Sequence, residues 1–177
     1  MTSYKREVFK NASVSQSAVR EVLTFLFAQE LLAPSRHVYF VAPWISNIVI
    51  FDNRLGQFDS INPEWGKREV RLAEVMVAMA AAGAQLHVHT RPDNHNRVFC
   101  WKLKEAMSDA GLGDRLAWKD DDPHLHTKGL LTDRVVILGS MNLTEKGVGI
   151  NDEAITVSYD PEDVAKSRVH FDTYEHG

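Results

Sequence analysis

Residues 124–142 read HLHTKGLLTDRVVILGSMN. The stretch is apolar overall, yet it carries two histidines, a lysine, an aspartate, a serine and an asparagine. Burying such groups without partners costs roughly 2–7 kcal/mol each, so they either find partners or converge on something that is not protein. Side chains alternate along a strand. His124, His126 and Lys128 are therefore expected on one face of a first arm, with Leu125 and Thr127 on the other. Thr132 and Asp133 read as a tight turn, and RVVIL (134–138) returns as the second arm. The hairpin thus delivers Gly139, Ser140, Met141 and Asn142 to the end where the histidines begin. A helix starting near Met141 would add free N–H groups there. A nucleophilic imidazole, an ammonium and several hydrogen-bond donors around one point suit a phosphate-binding reaction centre.

Outward from this hairpin, helix-like and strand-like patterns alternate. Ser15 is placed to cap a first helix running to about Leu32, with Ala18, Val22, Phe25, Leu26 and Leu32 near one face. HVYFVA (37–42), QLHVHT (85–90), RLAWK (115–119) and EAITVSY (153–159) are β-branched or aromatic runs that read as strands. Residues 44–66 lose periodicity except in NIVIF and read as a functional loop. A second helix is expected from about Lys67 to Ala82, stopped by Gly83, with Met76 and Met79 as core filler. DNHNR supplies caps for a third helix ending near Gly111, and Pro161 opens a fourth at its first position. Strands interleaved with helices, then an antiparallel hairpin, predict an α/β fold: an α/β/α sandwich on a mixed sheet, as one domain over residues 1–177.

Composition narrows the function classes. The 177 residues, 44% hydrophobic and 25% charged, are ordinary for a globular domain. The single cysteine excludes an intramolecular disulfide and suits a reducing compartment. MTSYKREVFKNAS has no apolar signal core, and the longest apolar run, VMVAMAAAGA, is about half of what a bilayer requires. The expectation is a cytoplasmic chain with no membrane contact. A formal charge of −4 gives no global basic signature, so any nucleic-acid contact rests on a local patch.

The spacing His126-x-Lys128, four residues, Asp133, then Gly139-Ser140-x-Asn142 resembles the HxK(x4)D…GSxN signature of the phospholipase D superfamily. Five residues separate Asp133 from Gly139, where that family usually has six, which bears most on Asp133. The resemblance implies phosphodiester transfer in two steps without metal or cofactor. One histidine attacks phosphorus, giving a phosphohistidine, and a second protonates the leaving oxygen. Lys128, Ser140 and Asn142 would hold phosphate oxygens, His124 would add a substrate contact, Asp133 would belong with His126 and Lys128 to the catalytic set, and Glu153 would fix the imidazole. The chemistry needs two HxK motifs and this chain has one, so a homodimer placing His126 from each copy at a two-fold axis is implied. Short single-motif members look most like the nuclease branch, which makes nucleic acid, and DNA first, the expected substrate. The chain also resembles the DpdK-like group of bacterial DNA-modification and phage-defence systems, which would bring further defence proteins as partners.

Blander readings stand beside these. Asp133 is equally well a turn former, and Ser140 and Asn142 could be cap residues. His87, His89, Asp120 and Asp122 invite a metal, but their spacings match no ligand motif. Lys67, Arg68 and Arg71, with Arg97, Lys102 and Lys104, form either a phosphate track or solvated helix faces. At the level of function, two rivals remain: a non-catalytic nucleic-acid-binding subunit, and a phospholipid phosphodiesterase.

Overall fold

A computed structural model describes residues 4–11 and 17–176 of the chain. Its elements, in order, are β1 (Lys5–Lys10), α1 (Ala18–Leu32), β2 (His37–Val41), β3 (Val49–Asp52), β4 (Glu69–Arg71), α2 (Leu72–Ala81), β5 (Gln85–His89), α3 (Asn94–Asp109), β6 (Leu116–Lys119), β7 (Gly129–Leu131), β8 (Val136–Gly139), β9 (Glu153–Ser158) and α4 (Pro161–His176). Seven strands form one mixed sheet in the order β1-β9-β8-β7-β2-β5-β6, and β3 and β4 make a separate two-stranded ribbon. β2, β5 and β6 run parallel, while β7, β8, β9 and β1 pair antiparallel. The short antiparallel connections and the longer helical crossovers give the mixed sheet its two halves.

The sheet is buried on both faces. On one face, Val38 and Phe40 of β2 and Leu86 and Val88 of β5 meet Leu23 and Phe27 of α1, Met76 of α2 and Leu103 of α3. Phe27 and Phe40 stack with centroids 6.2 Å apart. On the other face, Tyr39, Val41, Leu131 and Val136 meet Val164 and Phe171 of α4. Each large apolar side chain removed from water in this way contributes roughly 1.5–3 kcal/mol. The α/β/α layering expected from the alternation is the fold observed.

Several local expectations differ. Ser15 lies outside the described residues, and α1 begins after Ser17. Its buried stripe is Val19, Leu23, Leu26, Phe27 and Glu30. Phe25 and Leu32, expected inside, face solvent, because the stripe follows the i, i+4, i+7 spacing set by Val19. Residues 69–71 are strand, so α2 starts at Leu72 rather than Lys67. Gly83 does follow α2, with φ +106°. The loop over 44–66 contains β3, whose Ile50 and Phe51 are buried. β1 was not expected at all. It is an edge strand whose exposed residues at most positions hide any alternation, and it is held by pairing to β9.

Candidate active site

The sheet register brings the motif to one edge. Gly129 pairs with Val41, Gly139 with Ile155, and Glu153 with Lys10. The C-terminal ends of β2, β5 and β8 therefore meet the N-terminal ends of β7 and β9. Open α/β sheets commonly bind ligands outside such strand ends.

The approach to β7 is not the long strand expected: residues 124–128 are irregular and the strand starts at Gly129. The alternation nevertheless holds over these residues. Leu125 is buried against α4, and Thr127 accepts a 2.8 Å hydrogen bond from the Tyr174 hydroxyl. Pinned on that side, the segment leaves His124 and His126 exposed. The His124 amide donates to Asp122 Oδ1 at 2.7 Å, which fixes the start of the turn. Among the described residues, no hydrogen bond ties the His126 imidazole. The Lys128 ammonium donates to the His126 carbonyl at 2.7 Å, so it sits directly beside that residue. Burial, and then the positive charge of Arg91, push the Lys128 ammonium below its usual range, while Glu153 counteracts this.

The returning arm ends in a close contact. A Cβ on Gly139 would stand 2.2 Å from the Ala154 carbonyl oxygen, so only glycine lets β8 and β9 approach this closely. The next residue, Ser140, uses its hydroxyl twice, donating to Glu153 Oε2 and accepting from the Ala154 amide at 3.1 Å. Glu153 is buried and thus contacts the serine rather than an imidazole. Asn142 Oδ1 accepts from the Trp44 amide at 3.4 Å, and its carbonyl accepts from the Thr144 amide at 2.9 Å. No helix opens at Met141, contrary to expectation. The chain instead bridges Leu143 to Ile45, and a short π-helical turn follows at Lys146–Ile150. At its start, a Cβ on Gly147 would lie 2.2 Å from the Asn142 carbonyl oxygen.

Asp133 is elsewhere. The hairpin turn puts it at the opposite end of the strands, where its carboxylate accepts the Arg36 amide at 2.7 Å and an Arg168 N–H at 2.9 Å. Its own amide donates to Ser35 Oγ at 3.1 Å. The neighbouring Arg134 donates to buried Glu30 at 2.8 Å. Three strand positions on each arm separate this turn from the site. The expectation of Asp133 in the reaction centre is therefore corrected: it locks the turn to β2 and α4.

Three residues that the sequence reading missed complete the edge. Lys10 is buried at the end of β1 and donates to the Gly147 carbonyl at 3.1 Å. Burial pushes its ammonium down, partly offset by Glu153 and Asp152. Trp44 follows β2 and Arg91 follows β5. The Arg91 guanidinium lies over the Trp44 ring at 5.2 Å and donates from Nε to the Leu125 carbonyl at 2.7 Å. Only the topology brings these residues together, and no local spacing announces them.

The other sequence candidates do not join the site. His87 and His89 are buried on β5 beneath α4, where His87 Nε2 lies 3.0 Å from His37 Nδ1 and stacks on Tyr39 at 4.4 Å. Among the described residues no three His, Cys, Asp or Glu side chains come together as a metal centre. Arg68 is ion-paired with Glu74, and Arg71 donates to the Asn47 carbonyl at 3.0 Å. The two arginines of that half of the cationic track are thus engaged within the protein.

The assembled edge offers an exposed imidazole, an adjacent ammonium, a guanidinium and the asparagine of GSxN. That set can attack, and neutralise charge on, a phosphodiester. A family model described as the PLD-like domain of cardiolipin synthase matches residues 56–174. The chain belongs to the phospholipase D-like family.

Among solved structures, it is similar to Nuc from Salmonella typhimurium, a phospholipase D family member, at 13% identity and a TM-score of 0.60, covering 97% of this chain and 93% of that one. It is also similar to NucT from Helicobacter pylori at 14% identity and a TM-score of 0.56, covering 96% and 95% respectively. A third likeness is to TrmBL2, an archaeal chromatin protein, at 13% identity and a TM-score of 0.54, covering 97% of this chain and 52% of that one. A search of curated proteins finds no match. No helix among the described residues is long and apolar enough to cross a membrane.

Proposed function

We propose that the chain is a metal-independent phosphodiesterase that cleaves nucleic acid, with DNA as the first substrate to test, at a centre built from two copies. The observation that carries this reading is the exposed His126 imidazole, held by no hydrogen bond among the described residues, beside Lys128 at the open end of the hairpin. An imidazole this exposed is not enclosed by its own chain, whereas two such edges facing across a two-fold axis would supply both histidines and a wall. One His126 imidazole nitrogen would attack phosphorus while the P–O bond to the leaving oxygen breaks and the partner copy's imidazolium gives that oxygen its proton. Water would then cleave the P–N bond, losing its proton to the same partner imidazole. Lys128 and the Asn142 amide would hold the phosphate oxygens. Glu153 would act through Ser140, keeping the GSxN turn in place. The likeness to Nuc and NucT supports the nuclease branch, and the DNA-modification and defence setting remains part of the same proposal.

The test is incubation of the purified chain with labelled single- and double-stranded DNA and RNA in excess chelator. Cleavage that persists in chelator and disappears in His126→Asn supports the proposal. Cleavage that requires added zinc or magnesium would refute it. A second reading, a non-catalytic nucleic-acid-binding subunit, draws on the likeness to TrmBL2, whose structure is described as showing a novel mode of DNA binding. Binding by the wild type without turnover of nucleic acid, lipid or an activated diester would favour it.

A further inference from the structure

We infer that Trp44 and Arg91 form a subsite for one unpaired nucleotide beside the reacting phosphate, so that the site takes single-stranded nucleic acid in preference to duplex. The inference rests on the nucleic-acid reading above and names the form of substrate that the same edge accepts.

The pair touches both halves of the motif. Arg91 Nε donates to the carbonyl of Leu125, the residue before His126, and the Trp44 amide donates to Asn142 Oδ1. Both side chains are half-buried. The Trp44 ring is fixed by its indole N–H, which donates to Asp93 Oδ2 at 3.2 Å, and Asp93 in turn caps α3 through the His95 amide at 2.8 Å. Arg91 lies over that ring, a geometry in which the ring face attracts the guanidinium.

Among the described residues, the two terminal nitrogens of Arg91 have no protein partner. Among the described residues no carboxylate forms an ion pair with them; Asp93 is near enough to feel the Arg91 charge, and Arg91 is close enough to Lys128 to push its ammonium down. Two half-buried cations held together at one lip, the nearby Asp93 carboxylate being engaged by the Trp44 indole and the His95 amide, are complementary to more than one anionic group. A single phosphodiester brings one charge; consecutive phosphates of a polynucleotide bring the second. The base that joins those phosphates would then stack on the half-buried Trp44–Arg91 pair, through the indole edge of the pair or its guanidinium plane. Stacking on an aromatic side chain tolerates any base but requires that its face be free, which it is in a single strand and not within a duplex. A phospholipid offers the charge without a planar group for Trp44.

The test is equilibrium binding in the full-length His126→Asn chain, which cannot turn the probe over. The probes are a short oligothymidylate, an abasic oligomer of equal length and charge, and the duplex of the same length. The oligothymidylate should bind at least about fivefold more tightly than the abasic oligomer, the low end of base–aromatic stacking. Trp44→Ala should erase that preference and Trp44→Phe should keep it. Arg91→Ala should weaken both single strands alike and make the salt dependence shallower by about one counterion.

Equal affinity for oligothymidylate and abasic oligomer, a preference that survives Trp44→Ala, tighter binding of duplex, or no binding at all would each overturn the inference. The comparison of the two single-stranded probes needs no change at Trp44, so a folding defect in one variant cannot hide the answer. Base preference without cleavage would leave this subsite standing and remove the nuclease reading. Cleavage without base preference would do the reverse.

Discussion

Ser140 donates its hydroxyl to Glu153, and Glu153 lies directly across β9 and β1 from buried Lys10. This column links the GSxN turn to an edge strand 130 residues away in sequence, and it explains why a carboxylate is tolerated inside: it accepts a hydroxyl and faces a cation. Glu153→Gln keeps an acceptor for Ser140 but removes the charge beside Lys10. The variant should lose about 1–3 kcal/mol of stability, or roughly 2–4 °C in melting temperature per kcal/mol for a chain of this size. Thermal melts of the two proteins check this, and identical melting would mean that the Glu153 charge does not matter to Lys10.

Lys10 also predicts a pH dependence. Burial lowers its folded-state value, whereas in the unfolded chain it titrates near about 10.4. Between those two values the unfolded state binds more protons, so the stability contributed by this group rises with pH and levels off above the unfolded value. Below the folded-state value the cost is constant. Lys10→Met removes the group, so the stability difference between variant and wild type should change steadily up to about pH 10.4. Chemical denaturation at a series of alkaline pH values measures it, and a flat difference would contradict a depressed Lys10.

Asp133 gives the contrasting case of a motif residue with a purely structural place. It joins the Arg36 amide, the Arg168 guanidinium and, through its own amide, Ser35. Asp133→Ala should therefore cost about 1–3 kcal/mol of stability while turnover per folded molecule stays within about twofold. Specific activity measured well below the melting temperature separates the two effects. A thousandfold loss of activity in folded protein would return Asp133 to the chemistry.

These residues also show what a sequence discloses. The placement of His126, Lys128, Ser140 and Asn142 at one end of the hairpin is legible, because a hairpin with fixed register must bring its two open ends together. The same register, followed to the other end, places Asp133 away from them, at the turn. Strand and helix order were legible from apolar periodicity. β1 was not, because KREVFK is an edge strand held by backbone pairing with most of its side chains in water. The start of α2 differs because Val70 extends the apolar pattern of Leu72 to Met79 back across the strand-to-helix junction at Arg71. Trp44 and Arg91 sit in loops after two parallel strands separated in the chain by β3, β4 and α2, and sequence distance carries no trace of their contact.

Gly139 offers a steric test of the site's edge. An alanine there would drive Cβ to 2.2 Å from the Ala154 carbonyl, so β8 and β9 would have to separate locally. Overpacking of this kind costs about 1–3 kcal/mol and moves backbone. Gly139→Ala should lower the melting temperature and also reduce activity, because Ser140 is carried on the displaced strand end. If it melts and turns over as the wild type does, the close approach of the two strands is not required.

The last prediction concerns the sharing of the centre between two chains. If each centre takes one His126 from each copy, a mixed dimer of wild-type and His126→Asn subunits has no working site. In a fully exchanged equal mixture only wild-type pairs act, so activity should fall to about one quarter of an all-wild-type sample at the same total concentration, by random two-fold pairing. Independent sites, one per chain, would leave about half, since a mixed pair would keep one working centre. Unexchanged homodimers would also leave half, so exchange has to be demonstrated, for example by co-purification of two differently sized tags. With exchange shown, activity plotted against the wild-type fraction decides the matter. A quadratic curve places the chemistry where two His126 side chains meet, and a straight line means that each chain works alone with a second proton donor still to be found on its own edge.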